Sequence, residues 1–275
     1  MPARLARTLA VAALAAFQAQ AQTPLELAER LYERAAMAEQ IRPIAAQFTE
    51  GLEEYRGKIP DPVIADIAEA ARKIFAEEAL RAEIVAAIAQ KMKPEDMVRT
   101  LDWLDGLTGR RVTLAEASSA SSANAQNVRA YAESRKKKPP NPKRDAAIAD
   151  LIRATGAVEL GASLIEAIAL GIAVGTDATE PVEKRIGLPG LRARLRAAMP
   201  PEKVREAMGA TLPPMYAYIY REVSDADLAA YVKFSASPLG RRYNEAASGA
   251  LTGALARASV RVGEMLPAAQ EKKQV

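Results

Sequence analysis

Two stretches of the chain, 131 positions apart, share one pattern: residues 103–111 read WLDGLTGRR and residues 234–242 read FSASPLGRR. Setting Gly109 on Gly240 places Arg110 and Arg111 on Arg241 and Arg242, Trp103 on Phe234, Leu101 on Val232, Met97 on Leu228, Asp96 on Asp227 and Ile88 on Ile219. Further upstream, LAERLYERAAMAEQI (27–41) matches IADLIRATGAVELGA (148–162) more loosely at an offset of 121, so the second copy carries an insertion of about ten residues. A repeat of this period implies one supersecondary unit written twice, and each copy must then satisfy the same packing constraints.

The unit reads as helical. Apolar residues at Leu27, Leu31, Ala35, Ala38, Ile41, Ala45, Phe48, Leu52 and Tyr55 step by three or four and share one helix face. Pro43 falls inside this stripe and is expected to kink or split the helix, because it removes an i→i−4 hydrogen bond. GKIPDP (57–62) is a break; helical pattern returns over 62–75 and 79–92, and Pro94 opens another helix over 95–105. After DGLTG the pattern is helical again to about Ser134. In the second half, GTDATEP, GLPG, MPP and LPP read as breaks, and MYAYIY (215–220) is assigned to helix despite its alternation because its counterpart IVAAIA lies in a helical context. Aromatics make up only 5% of residues, which favours helices with small close-packed faces over sheet. The expectation is an all-α chain above ~60% helix, two tandem pseudo-repeats over 22–134 and 147–275.

The repeated motif reads as a helix corner. Ser224 with Asp227 has capping spacing, Phe234 lies on the following helix's apolar face, and Ser237 is placed to cap the next helix with Pro238 in its first turn. Gly240 lets the new helix pass close to a neighbour. In the first copy Gly106 stands for the cap serine and Leu107 for the proline, so that corner is less well specified.

Between the copies lies RKKKPPNPKR (135–144), within a linker expected over 135–146. Its prolines exclude helix, and its charge reads as a solvated spacer, with contact to an anionic surface as the alternative. Residues 154–174 form the most apolar stretch, with Glu159 and Glu166 as its only charges. Two mid-segment carboxylates argue against a membrane span. A buried central helix is the leading expectation, with the two glutamates as a polar seam at the surface. A helix lining an apolar ligand site or touching a membrane is the alternative.

The N-terminus, MPARLARTLAVAALAAFQAQAQTP, has the parts of an exported leader: Arg4 and Arg7, a short apolar run, and Ala19-Gln20-Ala21 as a cleavage site. Loss of 1–21 removes two arginines and no acid, leaving 36 basic and 34 acidic residues. That balance makes no case for a nucleic-acid partner. There is no cysteine, so neither disulfides nor a lipid-modified N-terminal cysteine is available. A periplasmic or secreted location is expected.

VSDADLAAYVKFSASPLGRRYNE resembles the signature of the bacterial family catalogued as domain of unknown function twenty fifty-nine, through Leu228, Phe234, Ser237, Pro238, Gly240 and Arg241. Ser235 departs from that family's second aromatic, and LIRATGAVE resembles its opening helix. The likeness is good over about 146–262 and weaker over about 25–125. It implies an exported all-helical module of the bacterial envelope and brings no known activity, cofactor or catalytic residue.

The chain has no histidine and no cysteine, which removes imidazole and thiol catalysis and the zinc sites built on them. Ser134-x-x-Lys137 matches S-x-x-K only at the edge of the basic run. Adjacent acids such as Glu53-Glu54 and Glu77-Glu78 point about 100° apart on a helix and do not converge. Arg110, Arg111, Arg241 and Arg242 lie in first turns of helices and are candidates for anion binding, with ion pairs to Asp102, Asp105 or Asp227 as the alternative. No catalytic residue, metal ligand or cofactor is assigned. The function expected is a non-catalytic helical binding or scaffolding module, its partner an envelope protein or an apolar ligand. A carrier with an interhelical cavity comes second and an enzyme third.

Overall fold

The computed structural model describes residues 22–53, 56–57, 60–119, 124–137, 139, 141–178 and 180–271. The leader expected over 1–21, Tyr55 and Glu54, and linker residues 138 and 140 lie outside them. The protein is all-α: 88% helical, with thirteen helices and no strand among the described residues.

The first half contains α1 (Pro24–Arg34), α2 (Met37–Glu53), α3 (Asp61–Ile74), α4 (Glu77–Lys91), α5 (Pro94–Asp105), α6 (Leu107–Ser119) and α7 (Asn124–Lys136). The second contains α8 (Pro142–Thr155), α9 (Ala157–Ala178), a 3-10 turn at Val182–Lys184, α10 (Gly187–Ala198), α11 (Pro201–Ile219), α12 (Asp225–Ala236) and α13 (Pro238–Glu271). The bounds of α5 and α12 differ by 131 at both ends, and α6 and α13 begin 131 apart.

Several expected breaks fall elsewhere. The stripe from 27 to 52 is divided at Ala36, which adopts φ 49°, and α2 runs unbroken through Pro43. Left-handed backbone is costly for an alanine. It is held here by burial on both sides, with Leu31, Tyr32, Ile41 and Phe48 in the core. Gly156 (φ 66°) makes the equivalent turn between α8 and α9, where glycine carries no such cost. Helix α11 continues through Pro213 and Pro214, with Leu212 and Ala217 buried on either side of the pair. GLPG is not a break but the first turn of α10. The basic run is helical at both ends, since Arg135 and Lys136 close α7 and Pro142, Lys143 and Arg144 open α8. Nor is it only a solvated spacer. Arg144 is largely enclosed, pairs with Asp225, and donates to the carbonyls of Tyr220 (2.5 Å) and Val223 (2.9 Å), which tie off the end of α11.

Some helix contacts are similar in the two halves. Helix α1 lies against α4 and α5, and α8 lies against α11 and α12. Each half places the helix that follows its corner on the other: α13 packs along α3, α4 and α5, and α6 packs on α12. One apolar cluster therefore joins Leu31, Phe48, Ile67 and Ile84 to Ala250, Ala254, Leu255 and Val262. A second joins Val112 of α6 to Leu151, Tyr220 and Leu228.

Helix α9 is long and apolar enough to cross a membrane by length and composition, with a mean hydropathy of 1.9 over its most apolar window. In the fold it makes the most extensive helix–helix contact, with α13. Gly171 allows that approach: a Cβ there would lie 2.8 Å from the Phe48 ring and 3.3 Å from Ser259 Cβ. The Ser259 hydroxyl, fully buried, reaches the Ala167 carbonyl at 2.6 Å. Glu159 and Glu166 are both exposed. Only 28% of the most apolar window is buried, so α9 is a partly covered helix and not the buried central helix expected.

Candidate functional site: a cavity between two helix corners

The two corners are built alike. At the second, Ser224 caps α12, accepting from the Asp227 N–H at 3.1 Å. Ser237 ends α12, and its hydroxyl accepts from the Gly240 N–H at 3.0 Å, so it also caps α13, with Pro238 as first residue. A Cβ on Gly240 would lie 2.0 Å from the Phe234 carbonyl oxygen, and one on Gly109 2.2 Å from that of Trp103. The close approach is thus to the end of the preceding helix. Gly106 offers no hydroxyl to cap α6, and Leu107 in the proline position is largely exposed.

The arginines tie the corners to each other. Arg111 of the first corner pairs with Asp227 of the second at 2.9 Å. Arg242 of the second grips Asp96 of the first through two hydrogen bonds, 2.8 and 2.9 Å. Hydrogen bonds from Thr108, Ser224 and Arg111 hold the Asp227 carboxyl down at about 2, and Arg242 lowers that of Asp96. Arg241 donates to the Ala236 carbonyl at 2.9 Å, and Arg110 is exposed. The four arginines therefore do not gather into an anion site, and two of them are internal ion-pair partners. Trp103 and Phe234 stack between the corners, ring centroids 4.0 Å apart and planes 10° apart, and Tyr231 stacks on Trp103 at 5.4 Å.

Beside this stack lies a cavity of about 590 Å³, between the two apolar clusters. Its walls come from both halves: Ile41, Ile84 and Leu104 on one side, Leu160, Met215 and Leu251 on the other. Gln40, Gln47 and Glu50 on α2 line it at the exposed surface. Five of the protein's eight tyrosines, at 216, 218, 220, 231 and 243, face it.

Glu116 of α6 is the polar centre. Tyr220 and Tyr231 both donate to its Oε1, at 2.5 and 2.9 Å, and Oε2 receives no hydrogen bond among the described residues. Burial pushes the Glu116 carboxyl up, against the two tyrosine hydroxyls that favour its charged form. Burial likewise raises the hydroxyls of Tyr220, Tyr231 and Tyr243, with the Glu116 charge adding to it. Tyr216 is pushed up to about 12 by burial. Ser134 has no comparable setting: its hydroxyl donates to the Tyr131 carbonyl at 2.8 Å on the surface of α7. Among the described residues, no three acidic side chains gather as a metal-ligand set.

The sequence reading did not single out Glu116. The one available signal was the concentration of tyrosine between 216 and 243. No protein-family model, curated protein or solved structure matches the chain.

Proposed function

We propose that the protein is a non-catalytic binding module that holds an apolar small molecule in the cavity between its two halves. The observation that carries this reading is the 590 Å³ cavity, apolar and aromatic in most of its lining and polar at few points. Ligand sites are typically clefts of roughly 300–1,000 Å³ with that balance. The carrier reading, second to a general binding or scaffolding role on sequence grounds, is favoured by this cleft. In the same reading the chain is an exported periplasmic module of the family its second half resembles, and a duplication has placed the binding site at the junction of two copies. Each copy supplies a corner, and the helices that follow the corners, α6 and α13, pack across the junction.

The reading is tested by filling the cavity. Ala247 lines it from α13. Replacing it with phenylalanine is expected to lower binding of an environment-sensitive apolar dye by about tenfold or more while the fold persists. Unchanged dye binding to a folded Ala247→Phe protein contradicts the site.

A further inference from the structure

Among the described residues the cavity lining is one-sided in charge: it includes Glu116 and Glu50 and neither lysine nor arginine. A ligand with a carboxylate or phosphate head would meet no cation there. An ammonium group would meet a carboxylate whose Oε2 takes no hydrogen bond among the described residues, while Tyr220 and Tyr231 hold Oε1 in place. It would also lie among aromatic faces. Tyr220 packs edge-on to both Tyr216 (5.6 Å) and Tyr231 (6.0 Å), and Tyr231 stacks on Trp103. Such faces attract cations through the ring quadrupole, and more so when water is excluded.

We infer that the Glu116 end of the cavity takes the head of an apolar organic cation, a protonated amine on a hydrocarbon body. This rests on the reading of the cavity as a ligand site and adds the chemical class. The head donates N–H to Glu116 Oε2, the tyrosine rings flank the charge, and the apolar walls take the tail. Without ligand, burial favours the protonated carboxyl; an arriving cation offsets that cost and favours the carboxylate. The other titratable groups facing Glu116 are Tyr216 and Tyr220 from α11, Tyr231 from α12 and Tyr243 from α13, none of which brings a positive charge.

Calorimetric titration of the full chain at neutral pH with decylammonium, decanol and decanoate tests this. Decylammonium is expected to bind about tenfold or more tighter than decanol, and decanoate more weakly than either. Glu116→Gln should bring decylammonium down to the level of decanol and leave decanol within about threefold. Tyr220→Phe, which removes one hydroxyl from Oε1, should narrow the same ratio and serves if the glutamine variant does not fold. Decanoate binding as tightly as decylammonium, or an ammonium-to-alcohol ratio unchanged by these substitutions, overturns the inference. Decanol binding that decylammonium does not exceed removes the head-group assignment and leaves the apolar site standing. Failure of all three to bind removes both.

Discussion

Trp103 and Phe234 stand at equivalent places in the two corner motifs, and their rings lie face to face 4.0 Å apart. The two halves of the chain meet at these matched positions. The ion pairs obey the same relation: Asp96 and Asp227 match, Arg242 and Arg111 match, and each arginine takes the other copy's aspartate. An approximate two-fold relation between the corners accounts for all three contacts at once. Offset stacking is worth about 1 kcal/mol beyond burial. A double-mutant cycle on Trp103→Ala and Phe234→Ala, read by urea unfolding, should therefore give a coupling of about that size. Additive losses would mean the rings do not support each other.

The Asp227 pairing sets an acid dependence. Its carboxyl lies at about 2 in the fold against an ordinary 3.8. The folded state therefore binds fewer protons than the unfolded one between those values. Stability from this group is fully present above about pH 4 and is lost as pH falls through about 2. The stability difference between the protein and Asp227→Asn, followed by thermal melts, should be constant above pH 4 and shrink below it.

Glu116 has the opposite sign. Its carboxyl is raised in the fold, so the folded state holds the proton over a range where the unfolded chain has released it. Stability from this site is highest below its ordinary value of 4.5 and declines as pH rises toward the folded value. Glu116→Gln removes the decline. The variant should gain on the parent as pH rises above about 4.5 in matched melts of ligand-free protein, and a constant difference would contradict the raised carboxyl.

The corner glycines are steric requirements. Gly240→Ala and Gly109→Ala each put a Cβ within 2.0–2.2 Å of a backbone oxygen. Backbone must shift, at a cost of about 1–3 kcal/mol or more. Gly253, interior to α13, has only the end of Arg257 at 3.5 Å, so Gly253→Ala should stabilise by about 0.5–1 kcal/mol. Denaturant midpoints of the three variants give the contrast.

Ser235 is fully buried, and its hydroxyl has no hydrogen-bond partner among the described residues. Ser235→Ala should be neutral or stabilising by about 1 kcal/mol, because an unpaired buried hydroxyl is replaced by a group that needs no partner.

Much of the fold was legible because it is written in short-range signals. Ser224, Ser237, Pro238 and Gly240 specify a corner by capping and steric rules that need no tertiary information, and α12 and α13 begin where those rules place them. Breaks set by tertiary packing were not legible. Pro213 and Pro214 stay in a helix held on its buried side, and Ala36 turns the chain because both flanking helices are anchored. Asp227 could be read as an ion-pair partner of these arginines, but that it takes Arg111 while Arg242 takes Asp96 could not, because only the packing of α6 on α12 and of α13 on α5 brings them together. Glu116 was hidden most deeply: it is one acid on a weakly patterned helix, and its setting depends on tyrosines from α11 and α12 that arrive more than a hundred residues later.

The proposed ligand can be sought directly by native mass spectrometry of the full chain, purified from its native cells without detergent exchange. A mass above that of the bare polypeptide by a single small apolar molecule is expected, lost on organic extraction and absent from Ala247→Phe. The bare polypeptide mass alone, with no dye or amine taken up by the same preparation, would contradict it.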